Sequence, residues 1–443
     1  MLRRLLAGVL VTLMTCLNLT GVPQDHTSAL TGELKEAGSW DSGADHFIQY
    51  DLTLTARESA PGWSVLLLGD AQPQQVWNCG VEAVPGGLVV RGVDYNADLN
   101  AGETASVGLI VKGGTLRLSG VAAPGTGSAA GSTPTQTVEV SVPVGEAKPL
   151  HVEGTHLSDS EGNAVQLRGV STHGLAWFPD YVSEDAFRTL RDDWGANVVR
   201  LAMYTAEYGG YCNGGDKEEL KALIDKGVRA ADALGMYVII DWHILQDGNP
   251  TTHQAEAVEF FAEMSAKYAQ YDNVLYELCN EPQNSPWATV IKPYAQAVIP
   301  AIRQNDPDAI VIVGTNTWSQ DVEEVIGNRL EDDNVVYTFH FYAATHKDAY
   351  RQKVIKALDA GVPVFVSECG LCDASGGGGV DRTSAKAWFD LLNERGVSFV
   401  AWSLCNKNET AALIRSDCAK LSGWAESDLT ESGLLFRQAI SGK

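Results

Sequence analysis

The chain has 443 residues, 45% of them hydrophobic and 20% charged, enough for more than one domain and a large core. A formal net charge of −24 with no long basic run excludes nucleic-acid binding, because a phosphate backbone would repel such a surface. The acidity fits the solubility of a secreted protein and does not identify a substrate.

The N-terminus reads MLRRLLAGVLVTLMTCLNLT: Arg3 and Arg4, then an apolar run from Leu5 to Met14. The run is too short to anchor in a bilayer and predicts a secretory signal peptide over residues 1–28, removed somewhere after residue 16. LMTC at 13–16 loosely matches a lipoprotein cleavage site with Cys16 acylated, without the small residues usual before such a cysteine. No later stretch is long and apolar enough for a membrane helix.

Residues 29–120 carry short strand patterns (HFIQYDLTLTA, WSVLLLG, GLVVRGV, ASVGLIV and TLRLSG) punctuated by Gly, Pro, Asn and Asp, and no amphipathic helix. That spacing predicts an antiparallel β-sandwich. DYNADLNAGE at 94–103 has the look of a calcium loop, but Leu99 stands where a glycine is needed, so it reads as a turn. Residues 121–147 are rich in Gly, Ala, Ser, Thr and Pro and predict a linker.

From residue 148 to 443, eight strand patterns alternate with amphipathic helices: 165–174, 196–204, 237–243, 273–281, 309–318, 335–342, 362–368 and 397–404. The helical patterns include SQDVEEVIGN at 319–328. Eight β–α units predict an α/β fold, a (β/α)₈ TIM barrel. A doubly wound sheet is the alternative, but no Gly-rich phosphate loop follows any strand. Of the eight cysteines, seven remain after the signal peptide. They have no zinc spacing, CGLC at 369–372 lacks a thioredoxin-like setting, and the expectation is small core residues with one disulfide. No metal or cofactor is expected.

Working residues of such barrels gather at the carboxyl ends of the strands. Those ends carry His173, Arg200, His243, Asn280 with Glu281, Trp318, His340 with Tyr342, Glu368 and Trp402. Singly, a Glu before Pro is ordinarily a solvated turn residue and a lone His a satisfied structural one. Polar and aromatic groups at nearly every strand end point to a cleft. Two carboxyls in an aromatic-lined cleft suit glycoside hydrolysis, and a gap of roughly 5 Å gives double displacement with retention. Like charges that close cannot both ionise, so one glutamate keeps its proton. Arg200 and Tyr342 would favour an ionised Glu368, leaving the proton on Glu281. Glu277, deeper in its strand, reads as a structural carboxylate inside the barrel.

The stretches VQLRGVSTHGLAWF, LRDDWGANVVRLAMYT, YVIIDWHI, NEP, GTNTWSQDV, TFHFYAATH, VSE and WSL resemble glycoside hydrolase family 5, the cellulase family, in its bacterial endoglucanase subfamily 2. The resemblance implies Glu281 as acid/base, Glu368 as nucleophile, Arg200 orienting the nucleophile, and Asn280 on the sugar 2-hydroxyl. It also implies His340 and Tyr342 supporting the pair. His173, His243, Trp177, Tyr204, Trp318 and Trp402 would line sugar subsites, and Lys407 and Glu409 would contact glucose hydroxyls. Cys369 stands where the family usually has an aromatic residue; with Cys279 and Cys405 it raises the expectation of oxidant sensitivity. SWDSGADHFIQYDLTLT, PGWSVLLL, QVWN and YNADLNAGETASVGL resemble a family 2 carbohydrate-binding module, implying a binding strip of Trp40, Trp77 and Tyr95 and a buried Trp63. The implied protein is a secreted, monomeric endo-β-1,4-glucanase acting on cellulose. Mannanase, xyloglucanase or mixed-linkage glucanase activity, or a non-catalytic glycan-binding barrel, are the alternatives.

Overall fold

A computed structural model describes residues 30–42, 45–57, 60, 62–84, 87–93, 96–122 and 138–442. The expected signal peptide with Cys16, most of the expected linker, and Tyr95 lie outside the described residues. The chain divides into two compact units, residues 1–135 and 136–443.

Among the described residues of the first unit, eight strands form two antiparallel sheets. One runs in the order β1 (Leu30–Ser42), β2 (Asp45–Ala56), β7 (Thr104–Lys112), β4 (Gln72–Trp77). The other runs β5 (Gly80–Val84), β6 (Gly87–Arg91), β3 (Ser64–Leu68), β8 (Arg117–Ala122). Alternate residues of β2 (Ile48, Tyr50, Leu52, Leu54) are buried and share one core with Val65, Leu67 and Val90 of the second sheet. Trp63 is buried there, its indole N–H donated to the Asn96 carbonyl. Strands β1, β4 and β5 carry no apolar alternation strong enough to predict. All three are sheet edges, where polar residues and Pro73 are tolerated because one side needs no partner.

In the second unit, eight parallel strands close a barrel in chain order: β12 (Arg168–Thr172), β13 (Val198–Tyr204), β14 (Tyr237–His243), β15 (Val274–Glu277), β16 (Ile310–Val313), β17 (Val335–Tyr342), β18 (Val364–Gly370) and β19 (Phe399–Leu404). Period-two alternation sends one set of side chains outward to the helices and the other into the lumen. Val198, Tyr237, Ile239, Leu275, Ile310, Ile312, Val336, Phe365 and Val400 fill the lower lumen. A small sheet of β9 (Leu150–Glu153), β10 (His156–Asp159) and β11 (Ala164–Val165) adds Leu150, Leu157 and Val165 to that layer, covering the amino-terminal end. Part of the expected linker belongs to this unit: the Val138 N–H bonds the Glu394 carbonyl at 3.1 Å, and the Ser141 N–H bonds that of Ala164 at 2.8 Å.

The helices begin and end where the sequence signals them. Ser183 caps Glu184–Trp194 by accepting from the Ala186 N–H, and Gly195 closes it at φ 74°. Asp216 caps Lys217–Ala233 in the same way. The expected helix over 319–328 is corrected: only a 3₁₀ turn, Val322–Val325, forms there. The preceding Thr317, Trp318 and Ser319 all adopt φ between 55° and 57°, a left-handed run that right-handed helix cannot continue. The expected disulfide is also corrected: Cys79, Cys212, Cys279, Cys369, Cys372, Cys405 and Cys418 are all free thiols.

One irregularity shapes the mouth of the barrel. The β17–β18 register passes from Thr338↔Phe365 to His340↔Glu368, so β18 carries one extra residue. Against β19 it shifts likewise between Val366 and Cys369. This bulge lets the consecutive Ser367 and Glu368 both reach the lumen, where strict alternation would admit one.

Candidate active site

Above the apolar layer the lumen turns polar, and Arg200 is its centre. Its side chain is wholly buried. Nε donates to Glu277 Oε2 at 2.7 Å and Nη2 to Glu277 Oε1 at 3.2 Å. Nη2 also donates to Asn280 Oδ1 at 2.7 Å and lies 3.1 Å from Asp241 Oδ2. Nη1 reaches Glu368 Oε2 at 3.3 Å. The Tyr342 hydroxyl donates to the other Glu368 oxygen at 2.8 Å. Glu281 follows β15 and meets His340 Nδ1 through Oε1 at 3.0 Å. Carboxylate oxygens of Glu281 and Glu368 and a His340 ring nitrogen all lie within 4.8 Å of one another.

Three buried acids (Asp241, Glu277 and Glu368) thus share one guanidinium, with the partly buried Glu281 close by, and the four cannot all ionise. Burial pushes Glu281 up to about 8, the neighbouring Asp241 and Glu277 charges adding to it and Arg200 opposing. Burial and the Glu281 charge push Glu368 up to about 7, opposed by His340, Arg200 and the Tyr342 hydroxyl. The order has a plain cause: Glu368 has two donors aimed at it, Glu281 only a histidine. Burial holds His340 down to about 4, so it is neutral at physiological pH.

The other expected site residues fall into three groups. His173, Trp177, Tyr204, His243 and Trp402 form one aromatic wall: His243 stacks on Trp402 at 5.2 Å, Trp177 meets Tyr204 at 4.6 Å, and His173 meets Trp402 at 5.1 Å. Trp177 is 39% exposed and available to a ligand. Lys407 and Glu409 pair at 2.6 Å, with Glu409 4.0 Å from His173. Trp318 stands apart from these rings, 43% exposed. Its left-handed turn is tied to the loop that carries Glu281, the Trp318 N–H bonding the Pro282 carbonyl at 2.9 Å and Ser319 Oγ the Asn280 carbonyl at 2.6 Å. In the first unit Trp40 is 42% exposed and stacks on Phe47, and Trp77 lies flat over Gly108.

Sequence reading missed Asp241, which bonds His243 Nδ1 at 2.6 Å as well as Arg200. It shares the inward parity of His243 two residues on, and that parity was the available signal. Ser367 and Thr338 were missed as well. The expected oxidant sensitivity is corrected: Cys279, Cys369 and Cys405 are fully buried, and burial drives each thiol upward, that of Cys405 to about 11. Reactive thiolates are therefore scarce there. Cys369 Sγ turns to the Val400 carbonyl at 3.4 Å, away from Glu368.

Residues 158–408 match the profile of the family described as Cellulase (glycosyl hydrolase family 5). The chain is 48% identical over 295 residues to Endoglucanase A of Butyrivibrio fibrisolvens, covering 66% of this chain and 68% of that one. Across this relative and two further endoglucanases, the chain spans 65 to 68% of their length. Endoglucanase E-5 of Thermobifida fusca is 35% identical over 457 residues, covering 97% of this chain and 95% of its own. The crystal structure of the catalytic domain of Thermobifida fusca endoglucanase Cel5A (E5) superimposes with a TM-score of 0.63 at 38% identity, covering 66% of this chain and 97% of that one. The barrel and these matches together show that the chain belongs to the cellulase family, glycosyl hydrolase family 5.

Proposed function

We propose that the protein is a secreted endo-β-1,4-glucanase that cleaves internal bonds of cellulose by double displacement, with retention of anomeric configuration. The observation that carries the mechanism is that an oxygen of Glu281 and an oxygen of Glu368 lie within 4.8 Å of each other, which supports the roughly 5 Å carboxyl spacing of double displacement. Glu368 attacks the anomeric carbon as the bond to the leaving oxygen breaks, and Glu281 gives that oxygen its proton. The glycosyl ester then removes the Glu368 charge, which lowers the Glu281 pKa. Glu281 next takes a proton from water as the water oxygen bonds the anomeric carbon and Glu368 departs. The aromatic wall and Trp318 would hold sugar rings to either side. Endoglucanase relatives of similar sequence support the linkage assignment.

The first unit is proposed as a cellulose-binding module, and the linker role is assigned to 123–137 rather than to the whole of 121–147. Trp40 and Trp77 share one sheet face. Trp40 pairs with Phe47 in the row of Lys112; Trp77 pairs with Gly108 in the row of Asp51, so Lys112 and Gly108 have one parity on β7. Three strand spacings and four residues of offset put them about 20 Å apart, a span suited to a polymer surface. Soluble-substrate assays on carboxymethyl cellulose, barley β-glucan, mannan and xylan test the activity. Product from the first two is expected; product only from mannan or xylan overturns it.

A further inference from the structure

The hydrogen-bond chain behind Glu281 ends on a buried carboxylate. His340 Nδ1 faces Glu281, and its Nε2 lies 3.0 Å from Ser367 Oγ. Ser367 Oγ is 2.7 Å from Glu277 Oε1 and also touches the Thr338 hydroxyl. Glu277 takes two N–H groups of Arg200, which hold it as a carboxylate able only to accept. The single Ser367 proton therefore goes to Glu277, which at 2.7 Å needs a donor, and none remains for His340. Nε2 must then be the donor, and in a neutral imidazole that leaves Nδ1 with a lone pair aimed at Glu281. A lone pair facing an ionised carboxylate repels it, so the contact holds together when Glu281 carries a proton.

We propose that Ser367 is a positioning residue that locks His340 in the Nε2–H tautomer and thereby keeps the proton of the acid/base on Glu281. The inference rests on the proposed role of Glu281. The lock works in both half-reactions: Nδ1 accepts a hydrogen bond from the protonated Glu281 before cleavage, and it offers no donor that would weaken Glu281 as a base afterwards. The other charged or titratable groups around the pair are Arg200 and Tyr204 on β13, Asp241 and His243 on β14, Glu277 on β15, Tyr342 on β17 with His346 beyond it, and Glu368 on β18. Arg200 and Tyr342 spend hydrogens on Glu277, Glu368 and the Asn280 amide oxygen, not on Glu281, so they cannot substitute for the serine.

The test is S367A in the full chain. Without the hydroxyl, His340 is free to carry its proton on Nδ1 and donate to an ionised Glu281. The basic limb of the kcat/KM–pH profile should then move to lower pH by about one unit. Turnover of cello-oligosaccharides should fall about tenfold or more, a share of what a general acid contributes. A dinitrophenyl cellobioside, whose leaving group needs no acid, should change less than about threefold in its first step. An unmoved basic limb, or equal losses on both substrates, overturns the inference. E281A separates the two claims: if it too fails to discriminate between the substrates, the acid/base assignment falls instead. Independently of any variant at 367, ¹⁵N-histidine NMR of the wild type, with H340Q for assignment, should give His340 an unprotonated Nδ1 resonance. A protonated Nδ1 overturns the lock.

Discussion

Arg200 grips Glu277 with two nitrogens, at 2.7 and 3.2 Å, but touches Glu368 with one, at 3.3 Å. The guanidinium is thus held more tightly by Glu277, and Glu368 keeps the looser contact that the proposed nucleophile needs. Burial raises all of these acids; the arrangement of donors decides which of them give up their protons first.

Removing the guanidinium should unfold the site. Arg200→Leu strands the Glu277 and Asp241 carboxylates in the lumen, where breaking one side of a buried ion pair costs about 3–5 kcal/mol. The thermal transition of the barrel should fall by many degrees, and activity should be abolished. A stable, active variant would show that the carboxylates are not held by this residue.

The Tyr342 hydroxyl favours the ionised form of Glu368. Tyr342→Phe removes a bond to a charged acceptor worth about 1.5–3 kcal/mol, or about one to two pKa units. The Glu368 pKa rises toward that of Glu281, so the acidic limb of kcat/KM should move to higher pH and the bell should narrow and lose height. The pH profile of the variant measures it.

The wild-type kcat/KM profile should be a narrow bell. Activity is lost below the pH at which Glu368 takes up a proton, about 7, and above that at which Glu281 loses its own, about 8. Both limbs belong to the coupled pair and not to either residue alone. A profile flat across this range would contradict the division of labour between them.

In the first unit, Gly108 is the seat of Trp77: a Cβ there would lie 2.0 Å from an indole carbon. Gly108→Val should lift the ring off the sheet and weaken binding to insoluble cellulose several-fold. Turnover of soluble glucan should not change. Truncation after Thr135 should do the same, while a cut at residue 147 also removes the Val138 and Ser141 bonds and should lower the barrel's thermal transition.

Much of this site could be read from the chain because each barrel strand is an apolar run that ends in a polar or aromatic residue, and the run itself fixes which end lies at the mouth. Glu277 was legible as a carboxylate deeper in its strand; Arg200, expected at a strand end, is the third residue of β13 and enters the lumen from within the strand. The β18 bulge was not: VFVSECG contains no residue that demands one, and strict alternation would have admitted only one of Ser367 and Glu368 to the lumen. The left-handed Thr317–Ser319 turn was hidden too, since no glycine marks it; its bonds to Asn280 and Pro282 compensate for the strain. The edge strands β1, β4 and β5 carry so little apolar pattern that only their partners define them.

The central claim is that Glu368 forms a bond to the sugar. A 2-deoxy-2-fluoro cellobiosyl fluoride should inactivate the enzyme by slowing departure of that ester. Peptide mass spectrometry of the inactivated protein should find one added cellobiosyl unit on the peptide containing Glu368. A label on any other residue, or turnover that releases product of inverted configuration with no label at all, would contradict the account.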